Sequence, residues 1–278
     1  MTEQLSLYDS FASKGLLPSL APQTGLVTPA SEVVSYGDSE PGEIVIPVLK
    51  CLQPQAPEVA RGQYPDAKAG MLFLTSTKES FATPAHVLVL QHHRSRALFP
   101  NPNNPKTKSL KMCLAPDALK GTEYGFCSTC EYADDWGENR EPPSCTESHN
   151  FVLLTPSGPA LIRFNRTSFK TGKEFHSGCK FSVPRKNFWH HPAVITTTMK
   201  PKRLPNGTET TYYEMSINWD RSVVTPEPMQ LLARKIFDEI DSAFSSGKLG
   251  SDELDDDRPT TTKKPAQKKD EFEDTIPF

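Results

Sequence analysis

"AHVLVLQHHRSRALF" spans Ala85–Phe99. Its first half is aliphatic and β-branched, the texture of a strand. Its second half carries His92, His93, Arg94 and Arg96, a short basic stretch on the same element. In an extended chain the rings of His92 and His93 point to opposite faces, so the adjacent pair cannot hold one metal ion between them. The same holds for His190 and His191. Similar runs recur at 42–53, 70–77, 149–156, 160–169, 193–200 and 211–220, separated by prolines and glycine-containing turns. "LPNGTET" before the last of them is a hairpin signal. Six or seven strands with no long helical pattern between them predict a mainly β chain, a small antiparallel barrel or sandwich.

Outside this block the texture changes. Residues 1–42 are rich in Ser, Pro, Gly and Thr and read as a flexible arm. Residues 222–247 contain Met229, Leu232, Ile236, Ile240 and Phe244 at helical spacing, with proline at the start and glycine past the end, which predicts one C-terminal helix. Residues 248–278 are charged and poor in apolar side chains until the last three, and read as a disordered acidic tail. No apolar run is long enough to cross a bilayer, and "MTEQLSLYDSF" has no secretory pattern. The expectation is a soluble, cytoplasmic protein without a membrane partner.

The net charge of −3 conceals a division. Residues 1–149 carry 12 Lys and Arg against 17 Asp and Glu, residues 150–221 carry 11 against 4, and residues 222–278 carry 8 against 13. A basic middle with acidic flanks points to a nucleic-acid surface and an acidic tail. Within the middle, cations alternate with rings. Arg166, Lys170, Lys173, Arg185, Lys186, Lys200, Lys202 and Arg203 supply charge for phosphates, joined by Arg94 and Arg96. Phe188, Trp189 and Tyr213 are candidate stacking platforms for unpaired bases. Phe164 alternates with Arg163 and is expected in the core.

Cys113, Cys127, Cys130 and Cys145 form a second constellation around a C-x-x-C centre. Four soft thiolates suit a tetrahedral, structural zinc ion that leaves no position for water. His149 is an alternative fourth ligand. A metal clip also explains how a segment of this length, 100–149, is ordered between two strands. Cys51 and Cys179 read as buried thiols. No phosphate-binding loop, dinucleotide fingerprint or nucleophile elbow is present, and acidic residues in the β block are too sparse for a two-metal nuclease. No catalytic residue is expected.

The last nine residues, "DEFEDTIPF", resemble the acidic tip of bacterial single-stranded DNA-binding proteins, which ends in aspartates followed by Ile-Pro-Phe. Residue by residue, Asp270, Glu271, Glu273 and Asp274 match the acidic run, and Ile276, Pro277 and Phe278 match the apolar end. The resemblance implies recruitment of replication, recombination or repair proteins such as a polymerase, helicase or recombinase. The body is more similar to single-stranded DNA-binding proteins of tailed phages, some of which combine an oligonucleotide-binding (OB) fold, a zinc subdomain and an acidic end. That likeness implies an OB-like barrel over 43–221, interrupted by a zinc-clipped insertion at 100–149, that coats single-stranded DNA. Self-association varies among such proteins. The competing expectations are a zinc-dependent nuclease and a duplex-binding or transcription adaptor protein.

Overall fold

The computed structural model describes residues 44–101, 107–134, 143–181, 188–203, 207–245 and 249–251. In chain order the strands are β1 (Ile44–Ile46), β2 (Leu49–Cys51), β3 (Leu72–Leu74), β4 (Ser80–Phe81), β5 (Ala85–Leu98), β6 (Cys113–Ala115), β7 (Lys120–Gly121), β8 (Gly125–Phe126), β9 (Thr146–Thr155), β10 (Gly158–Asn165), β11 (Ala193–Arg203), β12 (Glu209–Trp219) and β13 (Leu249–Ser251). Two longer helices accompany them, α1 (Phe169–Phe181) and α2 (Glu227–Ser245).

The fold is mainly β and its large sheet is antiparallel, in the order β10-β9-β5-β11-β12. The strand quoted above is its axis. The first three residues of β5 pair with β11, Leu88 to Ala97 pair with β9, and Arg96–Leu98 also receive β6. Between Val89 and Gln91 the register shifts by a bulge. An extra residue in one strand rotates everything after it to the opposite face. Val87 and Val89 therefore face one side, Leu88 and Leu90 the other, and past the bulge Gln91 shares the side of Leu90 while His92 returns to that of Val89.

Both faces are buried, as the unbroken apolar run Phe151–Leu154 in β9 requires. On the inner face Val87, Val89, Phe151, Leu153, Ile162, Phe164 and Ile195 pack against Leu49, Leu72 and Leu74 of the small sheet β2-β3-β4 and against Phe175 of α1. On the outer face Leu88, Leu90, Val152, Leu154 and Leu161 are covered by Met229, Ala233 and Ile240 of α2. The expected helical spacing of α2 is thus its buried stripe, and the side chain of Phe244 lies outside the described residues.

Three features of the structure bear on these expectations. First, the ladder does not close into a barrel: among the described residues no strand ladder joins β12 to β10. The stretch Pro47–Gln53 lies in that gap instead, held to β10 by Leu161 N–H donating to Pro47 O at 2.8 Å and by a single Val48–Leu161 bridge. On the β12 side the Gln53 amide imitates a strand, donating to Tyr213 O and accepting from Tyr213 N–H, each at 2.9 Å. Second, α2 is not the only substantial helix. The basic, aromatic middle, where no long helical pattern is expected, contains α1, seated on the inner core through Gly172 and Phe175. Third, Leu249–Ser251, in the segment expected to lack structure, pair parallel with β1. The arm 1–42 and the terminal nine residues lie outside the described residues.

Gly172 is the seat of α1. A Cβ there would stand 2.6 Å from Phe164 Cβ and 2.9 Å from His149 Cβ, both stiffly held. In an open helix Gly→Ala gains about 1 kcal/mol. Here Gly172→Ala should reverse the sign and lose about 1–3 kcal/mol through overpacking, read as a lower denaturant midpoint.

Candidate functional site

All four cysteines of the insertion line one small pocket, together with Arg96, Gly121, Tyr124 and Tyr132. Cys113 reaches it from β6, Cys127 and Cys130 from a 3-10 turn, and Cys145 from the residue before β9. Backbone bonds fix the set: Cys127 N–H donates to Leu119 O at 2.8 Å and Cys145 N–H to Tyr132 O at 2.9 Å. Gly121 lies close against this set: a Cβ there would come within 2.4 Å of Cys113 Sγ, so a side chain would displace that sulfur. None of the six cysteines is in a disulfide. Burial pushes the Cys145 thiol up to about 11 and raises Cys127, each opposed by Arg96. Cys51 and Cys179 are half-buried thiols that burial lifts to about 11 and about 12.

His149 does not line that pocket. It lies further along β9, under α1, where His92 of β5 and His176 of α1 meet it. The ligand nitrogens of the three lie within 4.8 Å of one another, close enough to bind a metal. Burial, then the neighbouring rings, pushes His92 down to about 3 and His149 to about 4, and burial also lowers His176. Sequence reading missed this trio. Its members come from three separate elements, and only the bulge in β5 turns His92, not His93, toward α1.

The expected nucleic-acid residues divide into three groups. The first is exposed and clustered by element. Lys200, Lys202 and Arg203 stand on the outer half of the β11–β12 hairpin, which continues eight residues past the last β5 pairing at Ile195. Arg166, Lys170 and Lys173 are exposed at the β10–α1 corner, where Arg166 adopts φ of +45°, a conformation that costs a side-chain-bearing residue energy.

The second group is engaged by the protein itself. Arg94 donates through Nε to Glu147 Oε1 at 2.7 Å and through Nη2 to the same oxygen. Arg96 donates to Glu147 Oε2 at 2.7 Å and to Ala133 O at 3.2 Å, tying the cysteine segment to β5. Trp189 donates its indole N–H to Val89 O at 2.7 Å and packs beside Phe237 of α2, while Phe188 lies against Trp219. The Tyr213 ring lies over Gly70, where a Cβ would be 2.4 Å from it. All three rings are half-buried packing residues. The third group, Arg185 and Lys186, lies outside the described residues, as do Asp270 to Phe278.

Two rings that sequence reading passed over are open to solvent: Phe126 in the cysteine insertion, 64% exposed, and Phe181 at the end of α1, 87% exposed. A cleft also opens where the ladder fails to close, lined by Lys50, Gln53, Arg163, Asn165, Ser168 and Tyr212 among others. Arg163 stands in register with Asn150 and His93 across three strands, and burial and Arg163 push His93 down to about 4. No helix among the described residues is long and apolar enough to cross a membrane.

The wall of the cleft depends on Gln53. Gln53→Leu leaves the Tyr213 N–H and C=O without their amide partners, and should cost about 1–3 kcal/mol in chemical denaturation. Gln53→Glu keeps the acceptor and should lose less.

Residues 34–243, most of the chain, match the family model described as Pam3 phage gp34-like protein. No curated protein and no solved structure matches the chain. A match over this span takes in the large sheet, the small sheet β2-β3-β4, the cysteine insertion, the histidine trio and nearly all of α2, so the chain belongs to the Pam3 phage gp34-like protein family.

Proposed function

We propose that this protein binds single-stranded DNA through an OB-like domain, holds a structural zinc ion in its cysteine insertion, and recruits partner proteins through its acidic end. The supporting observation is connectivity joined to charge. A long first strand, β5, pairs with both the second strand, β9, and the fourth, β11; α1 falls between the third and fourth strands; and β12 pairs back onto β11. We read that order as OB-like, and in OB folds the loops after the first and fourth strands bind oligonucleotides. In this chain those loops are the cysteine insertion and the tip of the hairpin carrying Lys200, Lys202 and Arg203.

The physical work divides accordingly. Flexible cations at the hairpin and at Arg166, Lys170 and Lys173 displace the condensed counterions of the phosphate backbone, which gives affinity without sequence preference. Phe126 and Phe181 offer π-faces to unpaired bases, a role better suited to them than to Phe188 or Trp189, whose rings are packed. The cleft beside Pro47–Gln53, lined by Lys50 and Arg163, is a route for the strand between these groups. The acids of Asp270, Glu271, Glu273 and Asp274 would compete for the same cations, and Ile276, Pro277 and Phe278 would fill an apolar pocket on a polymerase, helicase or recombinase. Coating of exposed strands in the cytoplasm of an infected cell, without turnover, follows from this reading.

Zinc is proposed for the cysteine set. Donor type and shared lining support it: four soft donors line one pocket, their sulfurs not drawn together as closely as the histidine nitrogens, and burial opposes bare thiolates until a cation compensates them. When bound, the ion supplies cross-linking and charge neutralisation. The chain's part is to hold the loop at the end of β5 through Arg96 and Glu147.

Two measurements test the reading. Titration of poly-dT against duplex across a salt series should show preference for the unpaired strand. Replacing Lys200, Lys202 and Arg203 together by alanine should weaken binding for all sequences and flatten the log–log salt slope by up to about 2, at roughly 0.7 per phosphate contact. Equal affinity for duplex would favour the adaptor alternative instead. Separately, Cys127→Ser or chelation should remove bound zinc and lower the melting temperature. A metal-free wild-type protein with an unchanged melt would eliminate the zinc claim.

A further inference from the structure

We infer that His92, His149 and His176 form a second metal centre, independent of the cysteine set and of the nucleic-acid reading, that takes a nitrogen-preferring divalent transition ion and fastens α1 to the large sheet. His92 Nε2 stands 2.9 Å from His149 Nδ1 and 3.2 Å from His176 Nδ1. Hydrogen bonding alone serves this arrangement poorly. A neutral imidazole nitrogen carries either one hydrogen or one lone pair, so His92 Nε2 can satisfy one of its two neighbours well and not both. An ion accepts a lone pair from all three. With metal–nitrogen bonds of about 2.0–2.1 Å, the edge of a tetrahedral ligand set is roughly 3.3 Å, close to both separations.

The surroundings select the ion. The rings are packed by Phe151, by Phe169 and by each other, with centroids of His92 and His176 3.8 Å apart. Among charged side chains, Arg94, Lys173 and Lys180 bear on the cluster and Glu147 partly offsets them. A divalent ion thus arrives in a net positive field, and its binding must come from nitrogen ligation. That excludes hard ions such as Mg²⁺ and Ca²⁺, and favours Zn²⁺, Co²⁺, Ni²⁺ or Cu²⁺. Three protein ligands leave a coordination position for water. His149 is buried in the sheet, whereas His92 and His176 are half-exposed, so the ion can enter beside α1.

The consequence for the fold is specific. Two ligands come from adjacent strands and the third from the helix, so the ion would bridge β5, β9 and α1 directly above the seat at Gly172.

The test begins with the wild-type chain, stripped by chelator and titrated with Co²⁺. Cobalt in the cysteine pocket gives intense sulfur-to-metal charge transfer; cobalt in the histidine set gives ligand-field absorption without it. An equivalent of the second kind is expected, and its absence in the wild-type protein overturns the proposal regardless of any variant. His176→Ala and His176→Gln should each abolish that equivalent and its metal-dependent rise in melting temperature, while the sulfur-type absorption is unchanged. The loss of affinity should exceed the roughly 10–100-fold that outer-shell changes bring. Unaltered histidine-type binding in either variant also overturns it.

Discussion

Strand β5 must serve three neighbours and two cores, and the bulge between Val89 and Gln91 is what lets it do so. Before the bulge, alternation sends Val87 and Val89 to the inner core and Leu88 to the outer one. After it, the parity changes: Gln91 reaches Asp241 on α2, and His92 meets Phe151 and the rings beneath α1. Remove the extra residue and every later side chain changes sides. His93 would turn toward α1, Arg94 and Arg96 would leave Glu147, and the anchor of the cysteine insertion would be lost.

Glu147 couples the two ends of this arrangement. A single carboxylate accepts from both Arg94 and Arg96, so one of the two positive charges of the basic stretch is offset within the protein. Arg96 carries the connection onward to Ala133 beside the cysteine pocket, and Arg94 stands opposite His149 in the β5–β9 register. The two constellations of soft and nitrogen donors thus share one electrostatic joint while facing different parts of the chain.

Much of this was legible in the sequence for a plain reason: strand texture is local. The runs at 85–99, 149–156, 193–200 and 211–220 each became a strand of the large sheet because aliphatic and β-branched residues fill a pleated, half-buried surface. The C-x-x-C centre was legible because its spacing is local too. Helix α1 was not. Thr171, Gly172 and Gly178 are weak helix formers, and its buried stripe is a notch at Gly172 and a single large ring at Phe175, a pattern that exists only against the sheet it caps. The histidine trio was illegible for a deeper reason, since it depends on register between β5 and β9 and on a bulge with no sequence mark. Trp189 shows how context adds to a local reading. A ring beside a basic turn read as a surface platform, yet its N–H closes a bond to Val89 O within the outer core.

The hairpin beyond Ile195 deserves a last thought about colloidal behaviour. Past that residue β11 pairs only with β12 among the described residues, leaving a long backbone edge able to recruit another extended chain. Lys200, Pro201, Lys202 and Arg203 occupy that edge. Proline withholds a donor and the cations repel a second copy, so the same side chains that meet a polyanion also act as gatekeepers against stacking of ribbon on ribbon. A crowded solution at low charge, not loss of any ligand, is the condition under which this molecule would be expected to begin to associate.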